Sequence, residues 1–188
     1  MVAGLAAAAG GRLDHRLISV GGASLRTHWN KGEAAAAIRD GRHDYVVLQE
    51  QSTLPVKNAA RMHENVRLFD GVIRAAGAKT ALYLTWARRK TPAAQAAITD
   101  AYQSIGRELN ALVVPAGVAW EQFLAAHDAP VLHDRDDSHP SVAGSYLAAC
   151  VFFAALFGRS PVGVGGGAEG VSAADAKRLQ QTAWKAVR

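Results

Sequence analysis

Thiols, long apolar runs and blocks of like charge are scarce in this sequence, and each scarcity removes a class of function. The single cysteine, Cys150, excludes an intrachain disulfide and any cysteine-based metal site. It lies in an apolar stretch, where a small buried side chain is expected rather than a nucleophile. The longest apolar run, Val142 to Phe157, falls short of the roughly 20 residues that a bilayer span needs. Gly144 and Ser145 also interrupt it, so a buried core helix is expected and no membrane partner. The formal net charge of +5 comes from scattered Lys and Arg, with no run longer than Arg88-Arg89-Lys90. Nothing basic recurs along a helical face, which points to a solvated surface and away from nucleic acid. The opening MVAGLAAAAGG has no charged lead, so it makes a poor signal peptide and reads as a helix stopped by Gly10-Gly11. Compartment and oligomeric state leave no mark on the sequence.

What is present is ample apolar content, 49% of 188 residues, enough to bury the core of one domain spanning residues 1–188. Short β-like runs alternate with helical stretches. The runs are Arg16 to Val20, Asp44 to Gln49, Lys79 to Trp86 and Ala111 to Pro115. Helical segments are expected near 31–40, 58–76, 92–109 and 118–126. Strands without apolar–polar alternation, separated by helices, predict a parallel sheet covered on both faces. Pro140 suits the first turn of a further helix that Gly158 closes. A last helix is expected from Ser172, with Asp175 completing a capping-box-like pair, towards Val187. The intervening VGVGGGAEG lacks the Gly-Lys-Ser/Thr ending of a phosphate loop and carries no nucleotide role. One feature is out of order. A doubly wound α/β domain opens on a strand that lies mid-sheet, in the order 2-1-3-4-5, whereas this chain opens on a helix.

Ligands of open parallel sheets gather at the carboxyl ends of the strands. Those ends carry Gly21-Gly22-Ala23-Ser24, then Gln49-Glu50-Gln51-Ser52, then Trp86-Ala87-Arg88, then Val114-Pro115-Ala116-Gly117. The loop DRDDSHPS (134–141) precedes the last core helix and would face the same edge. A neutral His139 held by Asp136 through one ring nitrogen is a competent general base for a hydroxyl or a water. Backbone N–H groups at Gly22 and a Gln carboxamide are suitable oxyanion donors. The same residues also fit a plainer role, since Asp and Ser cap helices and Gln49 suits a buried amide that satisfies a loop. His28, His43, His63, His127 and His133 have no metal-ligand spacing, and surface or capping roles are expected. Asp134, Asp136 and Asp137 form an acidic trio, but the Arg among them and the His after them argue against a cation site.

Together GGASLRTHW (21–29), DYVVLQEQS (44–52), LYLTWA (82–87), VPAGVAW (114–120) and DDSHPSVAGSYLAACVFF (136–153) resemble the SGNH/GDSL hydrolases. The likeness is closest to a bacterial branch with a Leu-Gln-x-x-Ser strand end and an Asp-x-x-His-Pro-Ser block, and it spans most of the chain in order. The resemblance implies a flavodoxin-like three-layer α/β/α sandwich and hydrolysis of an acyl ester, often on carbohydrate, without metal or organic cofactor. It makes His139 the base, Asp136 its orienting acid and Gly22 the glycine of the oxyanion hole. The asparagine of the usual Gly-x-Asn-Asp block is absent, and Gln49 or Gln51 stands in its neighbourhood.

The nucleophile is the larger departure. Such hydrolases carry it in a Gly-Asp-Ser or Gly-Asn-Ser turn after the first strand, and neither that strand nor that turn is found here. The expectation is an N-terminally incomplete domain with little or no turnover. Ser24 in GGASL, which mimics Gly-x-Ser-Leu, is the rival nucleophile of a smaller complete domain. Ser138 and Ser141 lie too close to His139 along the chain to be held opposite it. A non-catalytic glycan-binding module using Trp29, Trp86 and Trp120 is the alternative of another class.

Overall fold

The structure, a computed structural model, describes residues 1–165 and 168–188, so Gly166 and Gly167 of the glycine-rich loop lie outside the described residues. In chain order the elements begin with α1 (Val2–Ala8), α2 (Leu25–Lys31), α3 (Glu33–Asp40) and β1 (Tyr45–Leu48). They continue with α4 (Leu54–Lys57), α5 (Ala59–Ala75), β2 (Lys79–Tyr83), α6 (Ala94–Leu109) and β3 (Leu112–Val114). Three helices close the chain, α7 (Ala116–Ala126), α8 (Val142–Phe157) and α9 (Ala173–Val187). The chain is α/β, with helices flanking a small parallel sheet. It divides into two compact units.

The sheet unit comprises Leu17–Thr85 and Ala96–Val113. Its strands run in the order β1-β2-β3, and β1 pairs with β2 in parallel from Tyr45↔Lys79 to Leu48↔Leu82. Apolar positions on α5 recur at Met62, Val66, Phe69 and Ile73, a helical spacing, and all four are buried. Asp70 is buried on the same helix and is paired twice, accepting from Thr80 Oγ1 at 2.7 Å and from Arg74 Nε at 2.7 Å. The first of these bonds ties α5 to β2.

The strand expected over Arg16–Val20 is not formed. That segment has no regular structure, and Leu17 and Val20 are 80% and 47% exposed. The physical reason is pairing. In the order 2-1-3-4-5 the second strand has only the first as neighbour, and residues 2–8 here are helix. A β-prone segment with no ladder to join leaves its backbone to water. The helix expected near 31–40 is two helices, α2 and α3, meeting at Gly32. Ser24 starts the first of them, its Oγ accepting the Thr27 N–H at 3.2 Å.

The helical unit comprises Met1–Arg16, Trp86–Gln95 and Val114–Arg188, with α8 packed against α1, α7 and α9. The even apolarity of α8 matches its burial on nearly all sides, from Ala143 to Ala154. Burial pushes the Cys150 thiol up to about 12, which suits an inert packing residue. Gly144 is the tight point, because a Cβ there would collide with the Leu132 carbonyl oxygen and the Trp120 ring. Gly144→Ala should therefore lower stability by about 1–3 kcal/mol through overpacking, read as a drop in thermal midpoint. An unchanged midpoint would show that the Leu132–Trp120 wall gives way freely.

Candidate active site

Within the helical unit the chain from His133 to Pro140 doubles back on itself. His133 and Pro140 form an antiparallel bridge, with Asp134 N–H donating to His139 O and Ser141 N–H to Leu132 O, both at 2.8 Å. Asp137 turns the corner at φ 61°, a left-handed conformation that Asp tolerates better than most residues. Its N–H donates to Asp134 O at 3.0 Å, and its carbonyl accepts Arg89 N–H at 2.9 Å. Arg89 and Lys90 also approach its carboxylate at 3.6 and 3.3 Å. These exposed ion pairs add little beside the backbone bond.

Asp136 does two jobs with two oxygens. Its Oδ1 accepts the N–H groups of Ser138 at 3.0 Å and His139 at 2.9 Å, an Asx turn that shapes the loop. Its Oδ2 accepts the Nδ1–H of His139. Donation first from the imidazole and then from the two backbone amides holds the Asp136 carboxyl well below the usual carboxylate range. An ionised carboxylate only accepts, so His139 must carry its proton on Nδ1 when neutral. Nε2 then presents a lone pair, on a side chain 79% exposed. This is the geometry of an oriented general base.

Trp86 and its neighbours buttress the loop. The Trp86 indole N–H donates to Ser138 O at 3.0 Å, and the ring stacks on Trp120 at 4.0 Å with an 8° tilt. Trp120 in turn meets the edge of His133 at 4.9 Å. His133 is buried, not a surface residue as expected, and its Nε2 donates to Ala87 O at 3.0 Å. Gln95 Oε1 accepts the Ala87 N–H at 2.8 Å, which pins that segment from the other side. Trp120, only 2% exposed, belongs to the core, so the three-tryptophan binding surface loses its central member. Each member of the acidic trio has its own partner, Asp134 accepting Arg135 N–H at 2.7 Å. Among the described residues no three His, Cys, Asp or Glu side chains converge on a cation position.

The sheet unit holds the other candidates. Gly22 lies in an exposed turn at φ 71°, a conformation that only glycine adopts easily. Gln49 follows β1 with its side chain exposed. Gln51 turns inward to its own loop, its Oε1 accepting Thr53 N–H at 3.0 Å and Thr53 Oγ1–H at 2.9 Å. Ser24 Oγ is engaged as a helix cap and lies 3.1 Å from Thr27 Oγ1. Ser141 likewise caps α8 through Gly144 N–H and donates to Val131 O at 2.7 Å. Glu50, between the two glutamines, is 1% exposed, a buried carboxyl group given no role by the sequence motifs. The signal was available, since alternation along a strand end puts Glu50 on the same face as buried Leu48.

No family model matches the chain, and no curated protein matches it. Solved structures do. A DUF4886 family protein from Bacteroides uniformis superposes with a TM-score of 0.80 at 20% identity, over 100% of this chain and 88% of that one. A Slackia heliotrinireducens protein proposed to be an SGNH hydrolase gives 0.69 at 27% identity, over 81% and 88% of the two chains. The fold is that of the SGNH hydrolases. TesA shares it at 0.60 and 19% identity, over 80% of this chain and 81% of its own. The SGNH resemblance first read from the sequence motifs thus has a counterpart in three dimensions.

The folded pKa of Asp136 lies below its unfolded value, so its ionised form stabilises the fold above the carboxylate range and that contribution fades in acid. The stability advantage of wild type over Asp136→Asn should shrink as the pH falls below about 4. Denaturant midpoints measured across that range check it, and an advantage that grows in acid would contradict the assignment.

Proposed function

We propose that this chain is the scaffold and base of an SGNH-type serine hydrolase that cleaves an acyl ester, with acyl groups on carbohydrate as the substrate class. The observation that carries the proposal is the Asp136–His139 pair, fixed by its own loop with Nε2 exposed. In the reaction, His139 Nε2 accepts the proton of a serine hydroxyl while the serine oxygen attacks the acyl carbonyl. The Gly22 N–H and a glutamine carboxamide donate to the oxyanion of the tetrahedral intermediate. Gln49 or Gln51 can fill that role, since the bonds that Thr53 donates to the Gln51 amide oxygen leave its NH2 free to donate. Collapse expels the alcohol with the proton held on His139. A water activated by the same nitrogen then releases the acid and restores the serine.

The sequence has no Gly-Asp-Ser turn, and the hydroxyls of Ser24 and Ser141 are engaged in capping helices. The 188-residue chain by itself is therefore proposed to hydrolyse esters slowly or not at all.

The test uses p-nitrophenyl acetate and the gene product made in its native host. His139→Ala should lower turnover by at least about 1000-fold, the scale seen when a base acting with its nucleophile is removed. Asp136→Asn should cost as much or less, because a misoriented imidazole retains some function. Ser24→Ala should leave the rate unchanged. Full activity in His139→Ala would overturn the assignment, and loss of activity in Ser24→Ala would transfer the nucleophile to Ser24.

A further inference from the structure

The buried carboxylate of Glu50 has no part in the chemistry above, yet it joins the two segments of the sheet unit that hold the oxyanion candidates. Its Oε1 accepts Leu25 N–H at 3.0 Å and Gln51 N–H at 2.7 Å. Its Oε2 accepts Asn65 Nδ2–H at 2.9 Å. Its own backbone N–H donates to the hydroxyl of buried Tyr102 at 3.1 Å. Leu25 opens the helix that follows the Gly21-Gly22 turn, and Gln51 lies in the loop that begins at Gln49. One side chain therefore anchors both segments.

The polarity of the network fixes which residue can stand there. Arg26 Nε–H donates to Asn65 Oδ1 at 2.9 Å, and a guanidinium only donates. Asn65 must then turn its NH2 towards Glu50, and Asn65 is itself 1% exposed, so no water relieves the arrangement. Three donors converge on two oxygens, which a carboxylate satisfies. A glutamine at 50 keeps one oxygen for the two backbone donors but opposes its NH2 to that of Asn65. Flipping Asn65 only moves the clash to Arg26.

We propose that Glu50 is a positioning residue: with Asn65 and Arg26 it forms a one-way donor relay that sets the Gly22 turn against the Gln49–Gln51 loop. The inference rests on the reading of those segments as oxyanion donors for its catalytic consequence, and on the hydrogen bonds alone for its structural one. The companion change follows from the same polarity. Glu50→Gln combined with Asn65→Asp exchanges donor for acceptor, gives Arg26 a carboxylate, and leaves every group paired.

Amide hydrogen exchange and p-nitrophenyl acetate kinetics on the same proteins test the proposal. In Glu50→Gln, exchange in residues 21–25 and in residues 49–51 should rise together by about 10-fold or more, the effect of one lost bond to a charged group. Exchange in β2 should stay at the wild-type level. The kcat should fall by about 100-fold, as when an oxyanion donor is displaced, with KM within about twofold. Glu50→Gln with Asn65→Asp should restore both readouts. Should Glu50→Gln not fold, adding Arg26→Met to it frees Asn65 to flip and accept from the NH2 of the new glutamine, which should restore folding and wild-type exchange in both segments. The proposal is overturned if the two segments respond separately, if β2 loosens equally, or if the double change restores nothing. The kinetics use the gene product made in its native host, and absence of turnover there would tell against the ester-hydrolase reading, while the exchange data would still decide the relay.

Discussion

The division of the Asp136 carboxylate between backbone and imidazole is the constraint on which the helical unit's chemistry depends. One oxygen closes the turn through two amides, and the other fixes the ring. Loop shape and imidazole orientation are thus set by a single group. Because that group is ionised and can only accept, the imidazole has one tautomer available to it. The pair stands in solvent, where its electrostatic strength is modest. Its value is geometric. Trp86, held by stacking on buried Trp120, extends the same support by binding the carbonyl of Ser138. The left-handed corner at Asp137 is held by the Arg89 amide.

A second carboxylate plays the corresponding part in the sheet unit under opposite conditions. Glu50 is buried where Asp136 is exposed, yet each accepts two backbone amides on one oxygen and a side chain on the other. Burial raises the stakes, since an unpaired donor in the interior costs far more than one at the surface. The network around Glu50 therefore specifies side-chain identity, down to the orientation of the Asn65 amide. Asp136 specifies a direction, and Glu50 specifies a spacing.

The sequence exposed the parts of this that follow from periodicity and from short-range motifs. Three strands, the long helices and the Asp-x-x-His loop were legible because apolar runs, caps and a three-residue spacing are local signals. The segment 16–20 misled because strand propensity says nothing about whether a partner strand exists. Ser24 read as part of a nucleophile motif, and the structure uses it as a helix cap, a role that its position before Leu25 also permits. His133 was misplaced because only packing against Trp120 and Ala87 reveals that it is buried. The burial of Glu50 follows from its register with Leu48, but its partners, Leu25 and Asn65, lie 25 and 15 residues away and leave no local signal. Long-range polar networks have no sequence period.

The central claim is that Asp136 holds His139 with its proton on Nδ1 and its lone pair outward on Nε2. Long-range proton–nitrogen correlation spectra of the ring, recorded above the imidazole's titration range, read this directly. The account predicts a neutral His139 with a protonated Nδ1 and an unprotonated Nε2, and loss of that preference in Asp136→Asn. A neutral ring protonated on Nε2 in the wild-type protein would contradict it.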